Sequence, residues 1–591
     1  MTNVYLLHPT SHKGGTNRIN RTVVRALFAL LVLFIALSGR LLAQNLDQVG
    51  QAKPLQVSGG FSANQIFYAT HGSEARRDPY TYFLSGDLNL SLYGWSAPVS
   101  FTYSNQQTSF QQPFNRYSIH PNYKWATLHG GYTAMSFSPY TLNGHTFLGV
   151  GADLSPEGRW CVSAMYGRLQ KAVAADTTSG STRIPAFRRM GGGAKVTYRY
   201  ERDQVSLTFF RAADDTTSLA FVPEDAGVLP EENTVVSLSG TKSLGPRFLL
   251  SAEVASSALS RDRRALVGDR NYFPTFRHRL STVYRQAYKG GITYQGQSYT
   301  LGLGYERVDP EYRTLGAYYF NNDLENITIN TTTSLFADKV SLALNVGLQR
   351  DNLNKDQITG TRRTVGSLNV GYTASERLNL SGSYSNFQTF TNVRPVLEQM
   401  NQLTPFDNLD TLNYLQIAQS ASLSTQYVLS TSTERRQNLS TNLNVQRSSD
   451  QQGNDSPYVG TRFLNGNAAY SLQLTASQLT LTAGANYNRS AADTLVTVSA
   501  GPTTTVSRVF LKKTLRTSLS GTYQRTQQSG TVPGTAVTLR SNASYTLRRK
   551  HAMTLNVVAR RRTAARLTGP VTELTATLGY RFRFSTQSRQ P

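Results

Sequence analysis

The last stretch of the chain alternates between apolar residues and residues of other kinds. The apolar members are Leu574, Ala576, Leu578, Tyr580, Phe582 and Phe584, and the intervening members are Thr575, Thr577, Gly579, Arg581 and Arg583. Successive side chains of a β-strand point to opposite faces, so a period of two predicts a strand with one apolar and one wetter face. Such a strand suits a wall that separates hydrocarbon from water.

The same alternation recurs from Leu55 onward, in segments of about the ten residues that a tilted membrane strand requires. The faces opposite the apolar ones hold mostly Ser, Thr, Asn, Gln and Arg. No run of about 18 apolar residues follows the N-terminal region, and a closed barrel needs none, because closure satisfies every backbone polar group. The sequence predicts an all-β chain forming a single large transmembrane antiparallel β-barrel over residues 54–585. A soluble β-solenoid or a set of β-sandwiches is the alternative, but no linker interrupts the pattern.

Residues 1–43 have the features of a cleaved secretory signal peptide. Basic residues precede a short apolar run, which ends before Ala43. Its removal lowers the net charge from +25 to +20. We expect a short periplasmic segment at residues 44–53, a C-terminal tail at residues 586–591 and a location in a Gram-negative outer membrane. The single cysteine, Cys161, excludes an internal disulfide framework and is predicted to face the lumen.

Short turns and long polar loops alternate along the chain from about residue 144. Outer-membrane barrels place short turns on the periplasmic side and long loops outside the cell. This alternation of short periplasmic turns and long outer loops fails if residues 122–137 form one wall strand. It is restored if residues 108–143 form one extracellular insertion folded into the lumen, which leaves about 24 strands, with a range of 22–26.

The predicted insertion is rich in aromatic residues. A loop folded into a wide barrel would set the constriction, whereas the alternative is a loop that packs and seals the barrel. The candidate constriction residues are Arg116, Tyr123, Lys124, Trp125, His129 and Tyr132.

Basic residues crowd the C-terminal strands. From Arg508 onward there are sixteen Lys and Arg residues and one acidic residue, Glu573. Alternation places the following in the lumen or at its rim: Arg516, Arg540, Arg548, Arg560, Arg562, Arg581 and Arg583. A basic lumen wall would favour anionic solutes, and the alternative is pairing with lipopolysaccharide phosphates or acidic loops. We expect no nucleic-acid partner, because the charge lies on membrane strands.

Catalysis finds little support in the sequence. No nucleophile elbow and no closely spaced histidine pair typical of zinc sites appears. We expect no catalytic residues, no metal and no cofactor. Three histidines near the predicted insertion, His120, His129 and His145, are the weak basis for an alternative barrel enzyme acting on lipid or peptide.

The signal sequence ending in Leu-Leu-Ala-Gln, the Tyr580, Phe582 and Phe584 terminal strand and the Asn/Thr/Ser/Tyr-rich strands resemble outer-membrane proteins of Bacteroidota. The resemblance implies that the terminal strand is the signal read by the barrel insertion machinery. In width the chain is similar to TonB-dependent receptors, but strands that begin near Leu55 leave no room for their plug domain.

Two main functions follow. The first is a porin-like channel that passes or exports a hydrophilic solute or polymer, with anionic solutes among the candidates. The second is a non-catalytic scaffold barrel that holds a surface-exposed or periplasmic protein in an export or anchoring assembly. Lipid and lipopolysaccharide are expected partners under both hypotheses.

Overall fold

The fold is described from a computed structural model. It describes residues 55–586 except residue 76 and segments 93–94, 106–114, 176–184, 224–226, 269–275, 356–361, 387–416, 451–458, 493–494, 530–532 and 564–568. The predicted signal peptide, the segment 44–53 and most of the C-terminal tail lie outside the described residues. Among the residues described, no helix is long and apolar enough to cross a membrane.

The described secondary structure is one antiparallel sheet of 27 strands that closes on itself. Apart from two short strands that lie end to end, each strand pairs with its neighbours in the chain. The first strand pairs with the last, from Ser58 opposite Ser585 to His71 opposite Thr572. The strands are β1 Leu55–His71, β2 Tyr80–Leu92, β3 Trp95–Ser104, β4 Arg116–Ile119, β5 Asn122–Tyr123, β6 Ala126–Ser136, β7 Asn143–Leu154, β8 Trp160–Gln170, β9 Arg188–Tyr200, β10 Asp203–Asp215, β11 Glu232–Leu244, β12 Phe248–Ser260, β13 Thr282–Gln295, β14 Tyr299–Val308, β15 Leu324–Leu335, β16 Val340–Arg350, β17 Arg362–Ser375, β18 Leu378–Ser385, β19 Ile417–Thr431, β20 Arg435–Asp450, β21 Val459–Leu474, β22 Leu479–Ala492, β23 Leu495–Phe510, β24 Leu515–Gln528, β25 Gly534–Leu547, β26 His551–Thr563 and β27 Val571–Ser585.

The wall has 26 strand positions rather than the predicted 24. Strands β4 and β5 lie end to end, and both pair with β3 on one side and with β6 on the other. They therefore occupy one position between them. An even count returns both ends of the barrel to the same rim.

The prediction of a single lumenal insertion at residues 108–143 is wrong for its central part. Strands β4, β5 and β6 form a wall hairpin whose turn is Lys124-Trp125, and Lys124 has a left-handed φ of 49°. The sequence offers no Gly, Asn or Pro at this turn, so the hairpin is easily taken for one strand. Two extra wall strands account for the higher count.

The two ends of the barrel differ in their connections. At one end, the short-turn end, strands are joined by two to five residues and both barrel termini lie there. At the other, the long-loop end, most connections are longer, and the exceptions are the two-residue connection at 493–494 and the five-residue connection at 529–533. Connections at the two ends of the barrel alternate along the chain from the first strand onward, because Lys124-Trp125 is itself a turn at the short-turn end.

Side chains divide between an outer and an inner face as the alternation predicts. Leu574 on the outer face is 44% exposed, whereas its neighbour Thr575 on the inner face is 4% exposed. Cross-strand partners share a face, so the register fixes the orientation of every described strand. Cys161 is buried on the inner face, in agreement with the prediction.

Candidate functional site

Two connections at the long-loop end bend into the lumen and bind each other. Residues 137–142, between β6 and β7, and residues 309–323, between β14 and β15, form what we call the inward fold. The Tyr312 hydroxyl donates to the Tyr140 carbonyl at 2.9 Å, and the Thr314 hydroxyl donates to the Thr141 carbonyl at 2.7 Å. The Asn143 amide donates to the Gly316 carbonyl at 2.9 Å.

The inner face of the wall holds the inward fold by hydrogen bonds. Asn233 on β11 accepts from the Leu315 amide through Oδ1 at 3.1 Å. Its own amide nitrogen donates to Oγ of Ser257 at 2.8 Å, and Ser257 in turn donates to the Arg313 carbonyl at 2.7 Å. Asn233 and Ser257 are fully covered, so these bonds are shielded from competing water.

Apolar packing fixes the same contact. A buried cluster joins the inward fold, through Phe137, Leu142 and Leu315, to inner-face residues of β6–β12. Burial of one large apolar side chain contributes about 1.5–3 kcal/mol. The wall members of the cluster are Met135, Phe147, Met165, Leu169, Phe210, Ala212 and Leu259.

Arginine and carboxylate groups surround the base of the inward fold. Arg189 on β9 lies 2.7 Å from Oδ1 of Asp214 and 2.9 Å from Oε2 of Glu231. Arg313 of the inward fold lies 2.6 Å from the other oxygen of Glu231. Loss of one partner of a covered ion network of this kind costs about 3–5 kcal/mol, since it leaves an uncompensated charge.

A second ionic anchor lies nearer to solvent. The Glu311 carboxylate forms ion pairs with two guanidinium groups, Arg261 at 2.6 Å and Arg285 at 2.9 Å. The hydrogen bond from Arg261, with help from Arg285, lowers the pKa of Glu311 below its ordinary value. This carboxylate is half exposed, so its contribution is smaller than that of the covered network.

A lumenal cavity of about 860 Å³ lies beside the inward fold. Its aromatic side is Tyr140, Tyr319 and Phe320. Its wall side carries Glu253, Lys289 and Glu306, which face one another across β12, β13 and β14. The Tyr140 hydroxyl donates to Glu306 at 2.5 Å, and burial together with that carboxylate raises the pKa of Tyr140. The cavity suits polar solutes.

Six of the seven arginines predicted for a basic wall lie on the inner face of the four C-terminal strands. The register places the inward arginines as expected, with Arg560 opposite Glu573 and Arg581 opposite Ser62. Arg548 is the exception, because it lies in a short turn with a φ of 49° instead of on a strand face. The inward arginines of β24–β27 are Arg516, Arg540, Arg560, Arg562, Arg581 and Arg583.

The predicted constriction residues do not come together. Arg116 and His129 lie on the inner face, since Arg116 is in register with Thr102 and His129 with Gly151. Tyr123 lies on the outer face, stacked on Trp95 with ring centroids 4.5 Å apart. Tyr132 also lies outside and contacts Tyr117 edge to face. Lys124 and Trp125 form the turn.

His129 belongs to a polar chain near the short-turn end. Its Nδ1 lies 2.9 Å from Nδ1 of His120, and its Nε2 lies 2.9 Å from Asp153. Ser163 donates to Asp153 and not to a histidine, so this geometry does not activate a nucleophile. His145 lies apart from this chain, stacked on Tyr318. Within the described ranges, no group of three or more His, Cys, Asp or Glu side chains is arranged to hold a metal.

The segment 309–323 is the part of the candidate site that the sequence analysis does not single out. In the sequence it is one of the long polar loops that follow residue 144. A signal was available in Tyr312, Tyr318, Tyr319 and Phe320, because four aromatics in one solvent-facing loop are unusual. The insertion predicted at residues 108–143 is also rich in aromatic residues, and its end at Phe137 and Tyr140 does enter the inward fold.

Comparisons with known proteins give fold likeness only. No family model matches the chain, and no curated protein matches it. Among solved structures, Acinetobacter baumannii OccAB2 is 11% identical and covers 65% of this chain and 98% of its own, with a TM-score of 0.28. The P pilus usher (PapC) translocation pore is 10% identical and covers 91% and 100%, with a TM-score of 0.35. Pseudomonas aeruginosa OccK7 is 13% identical and covers 68% and 95%, with a TM-score of 0.27. At such TM-scores these likenesses carry no argument about function.

Proposed function

We propose that this protein is an outer-membrane channel that passes or exports a hydrophilic solute or polymer. The observation that carries the proposal is the closed wall, which is apolar and exposed outside and polar inside. The β1–β27 ladder leaves no open edge among the described strands, and that is the condition for a sheet to cross a bilayer. Lipid and lipopolysaccharide would surround the outer face, and Tyr580, Phe582 and Phe584 would be the strand that the insertion machinery reads.

The inward fold narrows one side of this channel. Inner-face residues under it, such as Phe210, Val235 and Ala287, are completely covered. Inner-face residues further round, such as Asn330, Ser341 and Ser381, stay exposed. A solute would therefore pass along the uncovered wall.

The uncovered path includes the basic wall, which supports a preference for anions. β13, beside the inward fold, and β26, which carries Arg560 and Arg562, lie half of the wall positions apart. They are therefore on opposite sides of the barrel. Fixed cations beside a low-dielectric wall raise the local concentration of anions. Glu573 is the only carboxylate on β24–β27 and lies 4.0 Å from Arg562, so most of the positive charge stays uncompensated.

A reversal-potential measurement in a salt gradient tests the anion preference. The double variant Arg560→Gln and Arg562→Gln should shift the reversal potential in the direction of lower anion selectivity, because both guanidinium groups face the lumen. Arg561→Gln is the matched control, since Arg561 on the same strand faces outward and should leave the potential unchanged. Equal shifts in both variants would contradict lumenal selectivity.

The second candidate is a scaffold barrel that holds another protein. It is favoured by the lumen face of β15–β18, where small polar side chains such as Asn330, Ser341, Ser381 and Ser383 are not covered by any described segment. Such a face has room for a second chain. A protein that co-purifies in equal amount, together with a closed channel, would support this candidate over the first.

A further inference from the structure

One long-loop connection carries apolar side chains that the barrel does not cover. The connection between β12 and β13 pairs its two described parts, residues 261–268 and 276–281, as a hairpin arm. The Leu280 amide donates to the Leu266 carbonyl at 3.1 Å, and the Gly268 amide donates to the His278 carbonyl at 2.9 Å. Val267 and Arg279 form an isolated antiparallel bridge.

The hairpin arm lies against the outer face of the barrel. Its His278 ring stacks on Tyr284, with centroids 5.8 Å apart, and its Nδ1 lies 3.0 Å from the Tyr284 hydroxyl. Tyr284 shares its face of β13 with the exposed Ile292, which is the lipid side. The part of the arm around His278 thus leans outward, whereas Arg261 at its base contacts Glu311 of the inward fold.

An ion pair fixes this position. Nε of Arg263 lies 3.3 Å from Oε2 of Glu232. Glu232 shares the outer face of β11 with Leu238, yet its side chain is 2% exposed while Leu238 is 55% exposed. The arm therefore covers the outer face only near the long-loop end, which is the level of the outer leaflet headgroups under the proposed function.

The exposed surface of the hairpin arm combines leucine with arginine. Leu266 is 75% exposed, Leu280 is 74% exposed and Val267 is 52% exposed. Arg277 is also exposed. Three of the five arginines in the described part of the arm pair with carboxylates, Arg261 with Glu311, Arg263 with Glu232 and Arg264 with Asp262. Arg277 and Arg279 form no ion pair with a carboxylate of the described residues. Apolar side chains beside uncompensated cations are the composition of segments that lie in a membrane interface.

We propose that the hairpin arm is a lipid-binding site for phosphorylated amphiphiles of the outer leaflet. Leu266, Val267 and Leu280 enter the upper acyl layer, and Arg277 pairs with a headgroup phosphate. A lipid is favoured over a protein partner because the arm lies against the lipid-facing side of the wall. This inference rests on the membrane placement in the proposed function.

Depth-dependent fluorescence quenching tests the site. In a Cys161→Ser background, single cysteines replace Leu266, Leu303 or Tyr319 and carry an environment-sensitive label. The proteins are reconstituted in phosphatidylcholine vesicles, with and without phosphatidylglycerol, that contain spin-labelled lipid. The label at position 266 should be quenched by spin labels near the headgroup, and phosphatidylglycerol should increase that quenching.

The other two positions separate the outcomes. Leu303 is exposed in the middle of the outer face of β14 and Tyr319 borders the lumenal cavity, so quenching is expected at 303 and not at 319. Quenching at 303 without quenching at 266 overturns the lipid site alone. An absence of quenching at both positions overturns the membrane placement itself. An Arg277→Gln variant that keeps the full effect of phosphatidylglycerol rules out the phosphate contact, and energy transfer between barrels instead of lipid quenching identifies a second copy as the occupant.

Discussion

Gly316 lets the two parts of the inward fold approach each other closely. A Cβ atom at this position would lie 2.6 Å from the Thr141 carbonyl oxygen and 2.8 Å from the Phe210 ring. Neither neighbour can move freely, because the first is backbone and the second is a buried ring. The hydrogen bond from Asn143 to the Gly316 carbonyl depends on the same short approach.

Gly316→Ala should therefore loosen the contact between the two segments of the inward fold, residues 309–323 and residues 137–142. We expect a conductance above that of the parent protein and faster proteolysis within residues 309–323. Gly158→Ala is the control, since a Cβ there meets nothing within 4 Å. An unchanged conductance in a correctly inserted Gly316→Ala variant would show that this contact does not set the pore.

Alternation alone predicts side-chain orientation only where the register is continuous. Arg560, Arg562, Arg581 and Arg583 were placed correctly because their strands run without interruption. Tyr123 and Tyr132 are expected in the lumen because residues 108–143 are predicted to form one insertion, whereas the wall hairpin places both on the outer face. Local sequence determines alternation, but the starting face of each strand depends on where the previous turn falls.

The inward fold is the element that sequence patterns describe least. Its backbone is irregular, so no period marks it. Its anchors come from distant parts of the chain, as when Asn233 binds Leu315 and Glu231 binds Arg313. The aromatic content of a loop indicates that it packs against something, but the partner appears only in three dimensions.

The Glu311 anchor gives the inward fold a pH dependence. The pKa of Glu311 is lowered in the folded protein by Arg261 and Arg285. Its contribution is complete above the ordinary glutamate pKa of about 4.3. It is lost as the pH falls through the lower folded value. Acidification should therefore loosen residues 309–323.

Limited proteolysis of the inserted barrel at neutral and acidic pH measures this effect, with an acid-active protease at both values. The parent protein should be cut within 309–323 more readily in acid. Glu311→Gln should already be cut more readily at neutral pH, and its cleavage should change less on acidification. A variant that keeps the full pH dependence of the parent would assign the effect to other carboxylates.

At the scale of the whole molecule, the closed barrel follows from a pattern that repeats over more than 500 residues. Each strand is short and ambiguous, but the two-faced pattern recurs in every part of this range and favours a closed sheet. The number of strands was less predictable, since one unrecognised hairpin changes the count by two. Closure supplies the constraint that local patterns lack, because only an even count returns both termini to one end.

The barrel is proposed to be a channel that the inward fold narrows. Single-channel conductance in planar bilayers tests it most directly, with the parent protein beside a variant in which a short Gly/Ser linker replaces residues 311–322. We predict that the parent conducts and that the variant conducts more. Correctly inserted barrels that are both silent, or that conduct equally, would contradict the account.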